Sequence, residues 1–240
     1  MRKPKGFTLI ELLIVIAIIA VLLTILIPAL QAAKKQAKTV VCKTHLRAIG
    51  QAMILYAQSN KQYIPRDETD GNWQMLFMPY VGGLSDDIEG FWEVKTFDCP
   101  SYPEKAQLVD YCMNAWDFSS GPNGKERRGA SRLSTFERPD DTIYLTDYEY
   151  HPTWNHIQIV TKKDARRAVE ENNPNIIKLK LRWMDVYNVA HLPRSDINRR
   201  VARERHKTGS NCLFVAGHVE WMDAEKNQRY YWGGPWDMNP

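Results

Sequence analysis

The side chains able to hold a metal or carry out catalysis are few in this 240-residue sequence: six histidines, four cysteines and scattered acids. On paper, His151, His156, His206 and His218 combine with Asp147, Glu149 and Asp223 into a metal or hydrolase site. None of the spacings that build such sites accompanies them. The sequence has no His-Glu-x-x-His, which sets two ligands on one helix face, no paired Cys-x-x-Cys and no Gly-x-Ser-x-Gly elbow. Isolated histidines in strands and turns more often act as hydrogen-bonded structural groups, so no catalytic residue and no metal ligand is assigned. Cys42, Cys99, Cys112 and Cys212 allow three full pairings. Cys99 and Cys112 enclose 12 residues of a loop-rich stretch that a bridge would pin by restricting the unfolded chain, which makes them the candidate disulfide. The alternative for that pair is two buried free thiols, and Cys42 and Cys212 read as small core residues.

Sharper chemistry stands at the N-terminus. Arg2, Lys3 and Lys5 form a cationic block before Gly6, and the apolar run of residues 12–30 is interrupted only by Thr24 and Pro28. A helix of that length spans roughly 28 Å, enough to cross the hydrocarbon core of a membrane. A secretory signal peptide also begins this way, but the run is too long for one and no Ala-x-Ala cleavage site follows it. Glu11 stands one step before the run. A lone carboxylate at membrane depth costs several kcal/mol, so it needs a partner.

The stretch GFTLIELLIVIAIIAVL is similar to the N-terminus of type IV prepilins and type II secretion pseudopilins. The resemblance implies cleavage between Gly6 and Phe7 by a prepilin peptidase, which also methylates the Phe7 amine. It makes Glu11 the fifth mature residue, paired in a filament with the terminal amine of a neighbouring subunit, and Pro28 a helix-kinking proline at the twenty-second. Low dielectric strengthens such an amine–carboxylate pair. Further along, CKTHLRAIGQAMILYA, FDCPS, YCMNAW and RHKTGSNCLFVAGHVEWM resemble a branch of pilin-like proteins with a C-terminal signature of His, nine residues, then Asp-Gly-His. Here the signature residues are His206, Ala216 in place of the Asp, Gly217 and His218. The implied partners are the prepilin peptidase/methyltransferase, other pilin-like subunits and an inner-membrane assembly platform. No cofactor is implied beyond calcium, which family members can hold in loops around their sheet. Asp and Asn are available for it here, but no twelve-residue EF-hand loop occurs.

The elements that must carry these residues follow from periodicity. After Pro28 there is no glycine until Gly50 and no proline until Pro65, and Cys42, Leu46, Ile49, Met53 and Tyr56 recur at helical spacing. The membrane helix therefore continues as an amphipathic helix to about residue 60, with one stripe that a sheet must cover. NWQMLFMPYVGG reads as a short helix stopped at Pro79. TIYLTDYEY, HIQIV and residues 176–183 read as strands, with a short helix from Asp164 to Pro174 between the last two. NCLFV and HVEWM form a hairpin whose loop is Ala216-Gly217, of open turn type because alanine at positive φ costs about 1 kcal/mol. The expected fold is α+β and pilin-like: a long N-terminal helix, transmembrane then amphipathic, packed on an antiparallel sheet. The expected divisions are a leader at 1–6, a transmembrane and assembly helix at 7–30, and an exported globular domain at 31–240.

The charge balance agrees with this layout. The formal charge is +4, from 32 basic and 28 acidic residues, and loss of Arg2, Lys3 and Lys5 leaves 29 against 28, or +1. Nucleic acid is thus an unlikely partner for the exported part. Cations ahead of an apolar segment stay cytoplasmic, which sends the remainder to the periplasm or outside. The basic stretch 194–207 reads as a solvated face, and the aromatic tail 229–240 as a segment tucked on the sheet or stacking on sugars. The expected function is a non-enzymatic structural subunit of a type II secretion pseudopilus or type IV pilus-like filament. The alternative is a membrane-tethered exported module that binds a glycan or surface ligand without polymerising.

Overall fold

The computed structural model describes residues 7–65, 73–82, 94–102, 110–114, 116–117, 125–126, 131–136, 138–147, 185–186, 202 and 205–223. The strands expected at 156–160 and 176–183, the helix at 164–174, the basic stretch up to 201 and the aromatic tail lie outside these residues, as does the leader at 1–6.

Helix α1 runs unbroken from Leu9 to Ser59, 51 residues or roughly 77 Å. Its first half is rich in Ile and Val, whose branched side chains weaken helix propensity in water. In hydrocarbon the helix is nonetheless the one local way to pair every backbone group. Thr8 caps it, with Glu11 closing a capping box. Pro28 deprives the Thr24 carbonyl of its helical donor, and the Thr24 hydroxyl turns back to donate to Ala20 O at 2.8 Å. At the far end Asn60 Nδ2 donates to Tyr56 O and the Gln62 amide to Ala57 O, both at 2.8 Å. Lys61 and Gln62 take positive φ to make that stop.

The helical stripe is the face that goes inside. Cys42, Leu46, Ile49 and Met53 are fully buried, with Ala52 and Ala57 beside them. They face a five-stranded sheet built from β2 (Tyr111–Asn114), β6 (Ile143–Asp147), β7 (Asp185–Val186), β8 (Gly209–Phe214) and β9 (Val219–Asp223), in the order β7-β2-β6-β8-β9. All pairings are antiparallel except β2 with β7. Among the described residues there are also two two-stranded pairs: β1 (Tyr63–Ile64) with β5 (Ser131–Arg132), and β3 (Trp116–Asp117) with β4 (Lys125–Glu126). Helix α2 (Trp73–Phe77) is short and ends just ahead of Pro79, which lies in the 3₁₀ turn at Met78–Tyr80 that follows it. Phe77 stacks edge-on against Tyr56 of α1 and against Trp73. The molecule is α+β, a long N-terminal helix on a mainly antiparallel sheet.

The β8–β9 hairpin corrects one expectation. Its loop is three residues, Val215-Ala216-Gly217, not two: the Gly217 amide donates to Phe214 O at 2.8 Å and the Phe214 amide to His218 O at 2.9 Å. Only Gly217 has positive φ, at 91°, so Ala216 escapes the strained region that a two-residue type I′ loop would impose on it. The loop lies under α1. A Cβ on Gly50 would come within 2.7 Å of Leu213 Cδ1 and 3.0 Å of Gly217 O, and one on Gly217 within 2.7 Å of Ile54 Cδ1. These two glycines let the helix ride directly on the hairpin.

Candidate functional site

Among the described residues, two regions concentrate chemistry. The first is the start of α1. The Thr8 amide and hydroxyl both donate to Glu11 Oε2, at 2.8 and 2.7 Å, and the Glu11 amide donates to Thr8 Oγ1 at 3.3 Å. Within one chain Thr8 is therefore the partner that Glu11 requires. Around it every residue from 7 to 38 is exposed, including a continuous sleeve of Leu, Ile and Val. A helix this long and apolar can cross a membrane. Pro28 sits inside the sleeve.

The second region lies where α1 first enters the core. Cys42 Sγ, Cys99 Sγ, one Asp147 carboxylate oxygen and one His206 ring nitrogen all lie within 4.8 Å of one another, and all four residues are buried. Each arrives on a different element. Cys42 is the first fully buried residue of α1. Cys99 follows a 3₁₀ turn at Lys95–Phe97 that His45 of α1 holds through Nδ1 against Asp98 O at 2.8 Å. Asp147 ends β6, and the Ala202 amide donates to its carbonyl at 2.9 Å. His206 precedes β8, where its amide donates to Gly209 O at 2.9 Å and Lys207 turns the chain at φ 66°.

Inside the cluster the Cys42 thiol donates to Asp147 Oδ1 at 3.2 Å. His206 Nε2 lies 3.6 Å from Cys99 Sγ and 3.3 Å from Asp147 Oδ2. Tyr111 O–H donates to Cys42 Sγ at 3.5 Å, and the Asn211 amide to Asp147 Oδ2 at 2.8 Å. Burial pushes the Cys42 thiol well up, while hydrogen bonds from Cys42 and His206 pull the Cys99 thiol down. Burial works against the charged form of His206, but the bonds to Asp147 and Cys99 outweigh it and lift the imidazole to about 9. Next to the cluster the Cys99 amide donates to Asp110 Oδ2 at 2.6 Å, and burial raises the Asp110 carboxyl to about 9.

Residues 1–27 match the family described as the prokaryotic N-terminal methylation motif. The chain is 51% identical over 63 residues to the type IV wide pilus major component PilA4 of Thermus thermophilus. It is 36% identical over 62 residues to the type II secretion system core protein G of Pseudomonas aeruginosa. The chain is prepilin- and pseudopilin-like. Each match takes in 26% of this chain, and the chain spans about half the length of these curated relatives, 48% and 44%. No solved structure matches.

The pilin-like residues singled out in the sequence divide between the two regions. Phe7, Glu11 and Pro28 lie along the exposed sleeve, with Gly6 outside the described residues. The signature splits: His206 enters the buried cluster, while Ala216 and Gly217 form the hairpin loop at the other end of β8. His218 stacks on the Phe214 ring, centroids 4.5 Å apart, and takes no part in the cluster. Of the acids and histidines that could be combined on paper, the structure joins Asp147 with His206; Asp223 ends β9, and His151, His156 and Glu149 lie outside the described residues.

The expected Cys99–Cys112 disulfide is absent, and all four cysteines are free thiols. Strand pleating explains this. Tyr111, whose hydroxyl reaches Cys42, faces α1, so the next residue, Cys112, points to the other side of β2. There it pairs across the sheet with Thr146 and donates to the Thr146 carbonyl at 3.6 Å. Cys212 shares that face, 3.2 Å from Thr146 Oγ1, and its burial drives the thiol up to about 12. Cys42 is thus more than a small core residue, whereas Cys212 is one. Sequence reasoning missed the cluster because its members are 57, 48 and 59 positions apart, without local spacing to signal them.

Proposed function

We propose that this pilin-like chain is a non-enzymatic filament subunit, anchored in the inner membrane through residues 7–30 and polymerised through the same helix. Residues 1–6 serve as a leader removed by prepilin peptidase, which methylates Phe7, and the domain from 31 onward is exported to the periplasm or beyond. The observation that carries this reading is the bare sleeve: from Phe7 to Lys38 no residue is covered by the rest of the described chain. An apolar surface of that extent needs lipid or other helices around it. Assembly exchanges one for the other, as subunits leave the bilayer and pack helix against helix with an assembly platform supplying the work. Glu11 then trades its Thr8 contacts for the Phe7 amine of a neighbour, a charge-assisted pair in low dielectric. Pseudopilus and type IV pilus use the same chemistry, and genes beside this one would separate them.

Intact mass spectrometry of membrane-extracted protein is expected to show loss of six residues and gain of one methyl on Phe7. An intact Met1 terminus in peptidase-competent cells refutes the processing. For assembly, Glu11→Ala and Glu11→Gln are expected to be processed, inserted and folded like wild type, yet to give few or no filaments after shearing. Wild-type filament yield from Glu11→Ala removes the pairing from the account. Recovery of the wild-type mature chain only as dispersed membrane monomers favours a tethered binding module.

A further inference from the structure

We infer that Cys42, Cys99, Asp147 and His206 form a structural zinc site that ties α1 to the sheet. Tetrahedral zinc with bonds of about 2.3 Å to sulfur and about 2.0–2.1 Å to nitrogen or oxygen has ligand–ligand edges of roughly 3.3–3.8 Å. His206 Nε2 stands at such distances from Cys99 Sγ, 3.6 Å, and from Asp147 Oδ2, 3.3 Å; Cys42 Sγ lies 3.2 Å from the other carboxylate oxygen, Oδ1, just under that range, and one donor atom from each of the four residues lies within 4.8 Å of the others. Two thiolates, an imidazole and one carboxylate make a donor set suited to zinc, and the sulfurs exclude calcium and magnesium.

The orientation of the imidazole separates this reading from a Cys-His-Asp catalytic triad. In a triad one ring nitrogen faces the nucleophile and the other the acid. Here Nε2 alone faces both Cys99 and Asp147, and Nδ1 turns away to Thr39 Oγ1 at 3.2 Å. The Thr39 hydroxyl donates its own proton to Lys35 O at 3.1 Å, so it can only accept from Nδ1–H. The neutral ring therefore holds its lone pair on Nε2, aimed at the centre of the cluster, with the outer hydrogen bond that metal-bound histidines typically make. Tyr111 O–H on Cys42 and the Asn211 amide on Asp147 orient the other ligands. All four positions are filled by the protein and buried, which leaves no opening for substrate and marks the site as structural.

Binding balances in protons. The ligating form has both sulfurs as thiolates and His206 neutral, so zinc displaces the Cys42 thiol proton and the His206 Nε2 proton, and any proton on Cys99. The three anionic ligands and the dication sum to −1, shared with the Tyr111 and Asn211 donors.

The test uses the full chain, purified in detergent without reductant and without chelator. About one equivalent of zinc per chain is expected by elemental analysis, with four reactive thiols after denaturation. Replacement by Co(II) should give the sulfur-to-cobalt charge-transfer and tetrahedral d–d bands of a two-thiolate site. Cys99→Ala and His206→Ala should lose zinc at least about tenfold, whereas Cys212→Ala should keep it; if the former do not fold, the wild-type zinc content and cobalt spectrum decide alone. Zinc below a tenth of an equivalent together with no cobalt spectrum overturns the inference. So does a Cys42–Cys99 bridge in the exported protein, seen as two thiols instead of four, or full zinc retention by folded Cys99→Ala.

Discussion

At the scale of single residues, the cysteines differ by the strand or helix face that carries each one. Cys42 and Cys99 share the face between α1 and the sheet; Cys112 and Cys212 share the opposite face with Thr146. Cys212→Ala should therefore cost about 1–2 kcal/mol by urea unfolding, the loss of a small buried group, and leave zinc content unchanged. Thr39→Val keeps the volume and removes the acceptor that fixes the His206 tautomer. It should weaken zinc affinity by about 10–100-fold in chelator competition without removing the site. At the other end, Thr8→Ala removes the helix cap, with an expected loss of about 1 kcal/mol confined to the first turn. Hydrogen exchange of the residue 8–12 amides checks that. Glu11 was legible in the sequence because a charge beside an apolar run is conspicuous. The cluster was not, since only the register of β2, β6 and β8 brings Tyr111, Asp147 and Asn211 into one row opposite Cys42.

Among the elements, α1 could be read almost to the residue, because an uninterrupted apolar run and a 3–4 stripe both report on one helix. The hairpin strands were legible from alternation, but their loop was not: three-residue loops place glycine last, and the same Ala-Gly pair fits either length. A substitution separates the two. Ala216→Gly should destabilise slightly, by about half a kcal/mol, through a more flexible unfolded chain; a type I′ loop would gain from it. Gly217→Ala combines strain at φ 91° with a clash on Ile54 and should cost about 1–3 kcal/mol. Gly50→Ala sets two effects in opposition. Alanine favours the helix by about 1 kcal/mol, yet its Cβ meets Leu213 and the Gly217 carbonyl, and overpacking costs about 1–3 kcal/mol. The clash should win, and a lower urea midpoint would show it.

Across the whole molecule, one helix serves two environments and the boundary is sharp. Among the described residues none before Thr39 is covered, and from Cys42 to Met53 the stripe is fully buried, with Tyr56 partly so. Deleting residues 1–31 should leave thermal unfolding of the remainder within a few degrees of the full chain and abolish its need for detergent. Deleting residues 1–46 removes Cys42 and Leu46, and the loss of two buried side chains, roughly 2–5 kcal/mol for the leucine alone, should lower the midpoint by about 10 °C or more. Circular dichroism melts of both truncations test this. The continuity of α1 also makes it a shaft. Force applied to the sleeve while a subunit is drawn from a bilayer, or while a fibre is stretched, travels along the backbone and is handed to the outer domain first at Thr39 and Cys42. At that point the shaft is fastened sideways to β6 through Asp147 and to the β8 approach through His206. A metal there would act as a rivet at the place of greatest mechanical load, and chelated subunits would tear away from their own helix at lower tension than the zinc-loaded ones.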